Sequence, residues 1–262
     1  MRWPKNKCAN GPGDTLWRLA AAGPVVFARE FLKFDPYEAQ ERVMRAIPQY
    51  KEIVLNCSRQ WGKSTLIAAM LVHRMLTEGG VLILVATPGA RQSGQLVEKV
   101  KRFLDVLGLR YGRYAKHEHS ALLPNGSAIV GLPAADRKIR GFSAVSVLVF
   151  DEAAWVPDDL FYALLPTLAT TNGDLFVLGT PFEKRGFFYR MMTEDAPGRF
   201  RYTGPVTECP RVSAEFLEGE RRRGEAFYLR EYMCVFIETG KFLLTADAVK
   251  RAFDNREVAW VL

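Results

Sequence analysis

The chain has 262 residues, of which 48% are hydrophobic, 25% charged and 12% aromatic, which excludes a disordered or fibrous protein and fits a folded one with a sizeable core. A net charge of +7, from 36 Lys and Arg against 29 Asp and Glu, with pI near 9.3, favours a polyanionic partner without proving one. No apolar run approaches the roughly 18 residues of a membrane span, Met1-Arg2-Trp3-Pro4-Lys5 leads into no apolar signal segment, and Cys8, Cys57, Cys209 and Cys234 show no C-x-x-C spacing. A cytosolic protein with no membrane association and no zinc cluster is therefore expected.

In chain order, residues 1 to 13 carry Pro4, Gly11, Pro12 and Gly13 and read as an irregular arm. Asp14 is placed to cap a helix from Thr15, and Gly23-Pro24 interrupts it before a second piece near Val25 to Lys33. Asp35-Pro36-Tyr37 predicts another helix with Pro36 at its first position, Val43, Met44 and Ile47 on its apolar side, and an end at Pro48.

The apolar run Ile53-Val54-Leu55 then leads into Asn56-Cys57-Ser58-Arg59-Gln60-Trp61-Gly62-Lys63-Ser64-Thr65 and an apolar helix. A strand, a compact loop ending in Gly-Lys-Ser and a helix form the arrangement that cradles nucleotide phosphates, a P-loop. Loop and helix N–H groups face the anion, Lys63 reaches the β- and γ-phosphates and Ser64 places its hydroxyl on Mg²⁺. Cys57 stands where the first glycine of the usual pattern is expected; the plainer alternative is an ordinary strand-to-helix turn.

Val81 to Ala86 reads as a strand covered on both faces, followed by a helix from about Ala90 to Leu107. Pro124-Asn125-Gly126 marks a hairpin between His117–Leu123 and Ser127–Leu132. Val145 to Phe150 is a buried-strand run ending in Asp151-Glu152, and Leu175 to Thr180 is another. From Phe187 onward the chain reads as helical and charged, with Glu218 to Arg223 and Glu225 to Tyr232, and Cys234 to Ile237 as a late strand.

This order predicts an α/β fold with a mostly parallel P-loop NTPase sheet (ASCE type) flanked by helices. Such sheets bind ligands at the carboxyl ends of their strands, where the P-loop, Asp151-Glu152 and Thr180 would converge. Asp151 would hold the Mg²⁺ shell and Glu152 polarise the attacking water, or the pair would only favour a helix start. Arg140, with Arg137 and Lys138, lies in a basic loop and is either an arginine finger or a solvated or DNA-facing cation. Gln40 could read an adenine edge or be a surface amide; Thr180 could sense the γ-phosphate or begin a turn. Lys99, Lys101, Arg102, Arg110, Arg113 and Lys116 suit phosphate contacts or a solvated helix face. The division expected is an N-terminal arm and helices forming part of a lid (1–50), the ATPase core (51–206), and a C-terminal helical lid segment with linker (207–262).

Assembled, these residues resemble the ATPase half of bacteriophage large terminase subunits, the DNA-packaging motors. Ser58-Arg59-Gln60-Trp61-Gly62-Lys63-Ser64 is similar to that family's variant P-loop. Ile139-Arg140-Gly141-Phe142, Val149-Phe150-Asp151-Glu152 and Gly179-Thr180-Pro181 follow in the family's order, with Tyr37-Glu38-Ala39-Gln40 before them like its adenine-binding segment, and the likeness runs over roughly residues 35 to 245. The resemblance implies ATP bound by Ser58 through Thr65, Mg²⁺ held by Ser64 and Asp151, Glu152 as catalytic base beside Lys63, and Arg140 as trans-acting finger. It also implies Thr180 as coupling residue, Gln40 as adenine contact, and Arg59 acting in cis. It further implies double-stranded DNA, a portal protein, a small terminase subunit and a homo-oligomeric ring on the procapsid in the host cytoplasm, with an isolated domain able to be monomeric. Family members continue into an RNase H-like nuclease; a chain stopping at Leu262 is expected to be the ATPase part alone. A helicase-like ATPase and a non-catalytic nucleotide-dependent DNA-binding or scaffold module are the alternatives.

Overall fold

The computed structural model describes residues 23–136 and 141–238. Its centre is a seven-stranded sheet of β1 (Glu52–Cys57), β2 (Leu82–Thr87), β3 (Ser120–Leu122), β4 (Ala128–Pro133), β5 (Val147–Phe150), β6 (Asp174–Gly179) and β7 (Arg199–Gly204), in the order β3-β4-β2-β5-β6-β1-β7. Every pairing is parallel except the β3–β4 hairpin predicted at Asn125-Gly126.

The central strands are apolar on both faces because both are covered, and alternate side chains enter different layers. On one side Ile53, Leu55, Ile83, Val85, Val147 and Val149 pack with α3 (Lys63–Thr77) and α4 (Ala90–Val106) through residues such as Leu66, Leu71, Leu96 and Val100. On the other, Val54, Leu84, Leu148 and Phe150 meet α5 (Asp158–Leu164) and α6 (Gly186–Thr193), where Phe161 and Phe187 stack at 4.1 Å. Burying each such side chain contributes about 1.5–3 kcal/mol, so the two layers hold the carboxyl ends of β1, β5 and β6 in fixed relation.

Several expectations need correction. The second N-terminal piece is α1 (Pro24–Glu30), and its Phe27 packs edge-on to His73 of α3 at 5.3 Å. Residues such as Phe27, Val43 and Met44 are laid against the core layer; residues 1–22 and 239–262, which the expected lid also includes, lie outside the described residues. The next helix, α2 (Glu38–Ala46), begins after Tyr37, because Gln40 accepts the Tyr37 N–H at 3.3 Å and closes the first turn, leaving Pro36 outside. Residues 234–237 form no strand, only an isolated bridge between Ile237 and Glu183. The strand absent from the sequence reading is β7, which pairs with β1 from Glu52↔Arg199 to Cys57↔Gly204. The C-terminal charged stretch does form helices, α7 (Ala214–Arg223) and α8 (Glu225–Glu231).

Candidate active site

β1 ends at Cys57 in extended backbone, and the loop turns through left-handed residues Gln60 (φ 66°) and Gly62 (φ 91°) before α3 starts at Lys63. The position occupied by Cys57 therefore needs no glycine; the one next to Lys63 does, because a φ of 91° lies beyond the left-handed values that Gln60 and other residues with a Cβ adopt here. The space is as tight as the dihedral suggests: a Cβ on Gly62 would stand 2.6 Å from Gln40 Nε2. The first N–H groups of α3 lack carbonyl partners four residues back and point out of the helix end.

Lys63 is buried, and its ammonium donates to Thr180 Oγ1 at 3.2 Å and lies 3.8 Å from Glu152 Oε1. Thr180 in turn donates to the Cys57 carbonyl at 3.0 Å, locking the end of β6 to the start of the loop. Asp151 is buried at the end of β5 and accepts the Glu152 N–H at 3.0 Å. Burial pushes the Asp151 carboxyl above its usual range, against the pull of Lys63, while Glu152 adds to the rise and Lys99 opposes it. Lys99, read from sequence as suited to phosphate contacts or as part of a solvated helix face, is half-buried, and burial lowers its ammonium while Asp151 raises it. Glu152 occupies a left-handed conformation (φ 54°, ψ 44°), uncommon for a residue with a side chain. The structure thus gathers Lys63, Thr180, Asp151 and Glu152, all expected from sequence, at the carboxyl ends of the interior strands β1, β6 and β5.

Other residues singled out from sequence are placed differently. Gln40 is 1% exposed, and both ends of its amide serve main chain: Nε2 donates to the Trp61 carbonyl at 2.9 Å and Oε1 accepts from Tyr37. The Trp61 side chain is 0% exposed and plugs the core between Tyr37 and Tyr202, and its main chain is paired as well, the N–H with the Ser58 carbonyl and the carbonyl with Tyr37 and Gln40. Arg59 points away from the loop, its Nε 2.7 Å from Glu231 of α8. Arg140, with residues 137–139, lies outside the described residues.

Residues without a motif complete the loop's support. Glu208 accepts from Trp61 Nε1 at 3.2 Å, from the Tyr202 hydroxyl at 2.8 Å and from Arg42 at 3.1 Å. Burial, reinforced by that contact with Glu208, pushes the Tyr202 phenol up to about 12, so it remains a donor at neutral pH. The Gln60 carbonyl accepts from Arg211 at 3.2 Å and from the Cys209 thiol at 3.6 Å. The Gln60 and Trp61 carbonyls are thus both satisfied from outside the loop, and the Trp61 N–H between them bonds to the Ser58 carbonyl at 3.4 Å, so the turn is held at three main-chain groups. Sequence carried no local signal for these partners beyond their polarity. Just after Glu152, Trp155 packs against Phe182 with ring centroids 4.3 Å apart and planes tilted by 37°, and the Arg230 guanidinium lies 5.2 Å from the Phe182 ring, joining the acidic loop, the Thr180 loop and α8.

The family model described as terminase large subunit, T4likevirus-type, N-terminal, matches residues 54–251. The chain belongs to this family. It is the N-terminal region of a terminase large subunit. Its sheet is similar to that of the Thermus phage P74-26 large terminase ATPase domain, with TM-score 0.66 at 21% identity over 81% of this chain and 97% of that one. The HK97 bacteriophage large terminase gives TM-score 0.66 at 14% identity, covering 80% of this chain and 54% of its own. The large terminase of a thermophilic bacteriophage, solved in complex with ATP-γ-S, gives 0.65 at 14% identity, covering 77% and 53%. Against these last two the chain spans about half the relative's length. No described helix is long and apolar enough to cross a membrane.

Thr180→Val keeps the side-chain shape and removes the hydroxyl that joins Lys63 to the Cys57 carbonyl. The expected cost is about 1 kcal/mol of stability, from the lost buried hydrogen bond, and roughly tenfold in turnover, the equivalent of a further ~1.4 kcal/mol. Urea unfolding and steady-state phosphate release measure the two separately.

Proposed function

We propose that this site binds ATP with Mg²⁺ and hydrolyses it, and that hydrolysis drives translocation of double-stranded DNA into a procapsid. The observation that carries the reading is the junction of Lys63 with Thr180 and Glu152 at 3.2 and 3.8 Å, bringing three sequence-distant segments onto one ammonium. The residues fit the ligands. Ser58 Oγ is buried in the loop without a partner among the described residues, as a hydroxyl awaiting a phosphate oxygen or a water would be. Ser64 and Asp151 offer hard oxygen donors, and no group of three His, Cys, Asp or Glu among the described residues forms a closed cage. A donor set of one hydroxyl and one carboxylate, completed by phosphates and waters, is the kind Mg²⁺ takes.

In this reading the loop N–H groups, with Lys63, hold the β- and γ-phosphates, and Ser64 and Asp151 hold Mg²⁺. The ion, when bound, neutralises charge on the phosphates. Glu152, on its left-handed backbone, orients a water and accepts its proton. Thr180 ties the γ-phosphate end to β6, and Arg140 of a neighbouring copy would supply the finger. The ATP-γ-S complex of the thermophilic phage large terminase supports nucleotide binding by this fold. The net charge of +7 supports a polyanionic track, and family membership supports work on a portal, in a ring, with a small terminase subunit.

The direct test is ATP binding and hydrolysis by wild type and Lys63→Ala. Loss of both in the variant is expected, with affinity down at least ~100-fold, about 2.7 kcal/mol. Unchanged binding by Lys63→Ala would remove the phosphate site from this loop.

A further inference from the structure

Sheet order gives the phosphate loop two flanks: β6 and then β5 lie on one side of β1, and β7 lies on the other. The β6 flank carries Thr180, Asp151 and Glu152. The β7 flank carries Tyr37, Gln40, Glu208 and Arg211, all bonded to Gln60 or Trp61. A nucleoside triphosphate whose terminal phosphate lies beside Glu152 extends its nucleoside end away from that flank, toward the second one. On the second flank most polar groups are already committed. Gln40 is spent on two main-chain groups, Tyr37 donates to the Trp61 carbonyl, and Glu208 serves Trp61, Tyr202 and Arg42.

Arg211 differs: it is exposed. Its Nη2 donates to the Gln60 carbonyl at 3.2 Å, and the same nitrogen would lie 3.5 Å from a Cβ on Gly62. That contact uses one of the five N–H donors of a guanidinium and leaves a planar, weakly hydrated cation at the loop's rim. We propose that Arg211 is a nucleoside-contacting residue whose guanidinium forms one wall of the base subsite, against the face of a purine. The inference rests on the reading of the loop as a triphosphate site. A guanidinium stacks on aromatic faces where an ammonium does so poorly. Its anchor on the Gln60 carbonyl holds it in place before the ligand arrives, which lowers the ordering cost of binding.

The test is equilibrium binding by calorimetry, in the presence of Mg²⁺, of ATP and of inorganic tripolyphosphate. The proteins are wild type, Arg211→Ala, Arg211→Lys and Lys63→Ala. Both Arg211 variants are expected to bind ATP roughly tenfold more weakly, within the range of cation–aromatic contacts, and tripolyphosphate as wild type does. Arg211→Lys keeps a cationic donor for the Gln60 carbonyl, so its loss of ATP alone reports the planar face and not a disturbed loop. A parallel loss of tripolyphosphate, or wild-type affinity for both ligands in both variants, overturns the assignment. Those outcomes leave Lys63→Ala as the separate arbiter of the phosphate site: retained affinity for both ligands there sinks the triphosphate reading itself.

Discussion

Glu152→Gln is expected to bind ATP about as well as wild type and to hydrolyse it roughly a thousandfold more slowly, the middle of the range for removing a general base. The substitution keeps side-chain length and the half-exposed position while removing the ability to accept a proton. Its ground-state consequences are small, because its ion-pair partner, the Lys63 ammonium, lies at 3.8 Å and keeps its hydrogen bond to Thr180. Nor is the left-handed backbone at 152 relieved or worsened, since glutamine and glutamate share a Cβ and the same φ of 54°. Single-turnover phosphate release, set beside an ATP-binding isotherm, separates the two quantities. Hydrolysis at the wild-type rate would remove Glu152 from the chemistry and direct attention to Asp151. Loss of binding together with turnover would instead make Glu152 a structural partner of Lys63.

What could be read in advance follows a physical divide. The strands β1, β2, β5 and β6 announced themselves because burial on both faces demands unbroken apolar runs, and the Gly-Lys-Ser turn announced the loop because an N-cap at φ 91° demands Gly62. β7 gave no such sign: Arg199-Phe200-Arg201-Tyr202 alternates charge with aromatic, and the charges are absorbed by Glu52, 2.7 Å from Arg199, and by Asp195 beside Arg201. Period-two alternation was the available signal, overridden by the charged composition around it. The acids and Lys63 were legible because phosphate chemistry restricts the choice of side chain. Glu208 and Arg211 were not, because bracing a carbonyl or an indole can be done by many polar residues from any part of the chain. Gln40 shows the limit from the other side. The sequence offers Gln40 as an adenine contact or a surface amide, yet its amide is taken by Tyr37 and Trp61, a pairing that only the fold reveals.

Trp61→Ala is expected to cost about 3–5 kcal/mol of unfolding free energy, the usual range for truncating a fully buried aromatic. That is a large share of the ~5–15 kcal/mol that holds a typical domain together. The ring is 0% exposed, packs against Tyr37 and Tyr202 with centroids 5.7 Å away in each case, and would lie 2.6 Å from a Cβ on Gly204. Removing it opens a void directly under the phosphate loop and strips Glu208 of its indole donor. ATP affinity should therefore fall with stability even though the side chain never meets the nucleotide. Trp61→Phe isolates the two contributions: it retains most of the packing and loses only the 3.2 Å bond to Glu208, for about 1 kcal/mol. Urea unfolding of the three proteins gives the energies, and ATP titration well below each transition gives the affinities. A Trp61→Ala protein as stable as wild type but unable to bind ATP would make Trp61 a nucleotide contact, not a core plug. A loss shared between stability and affinity, graded from Phe to Ala, is what a loop held from beneath by its own tryptophan requires.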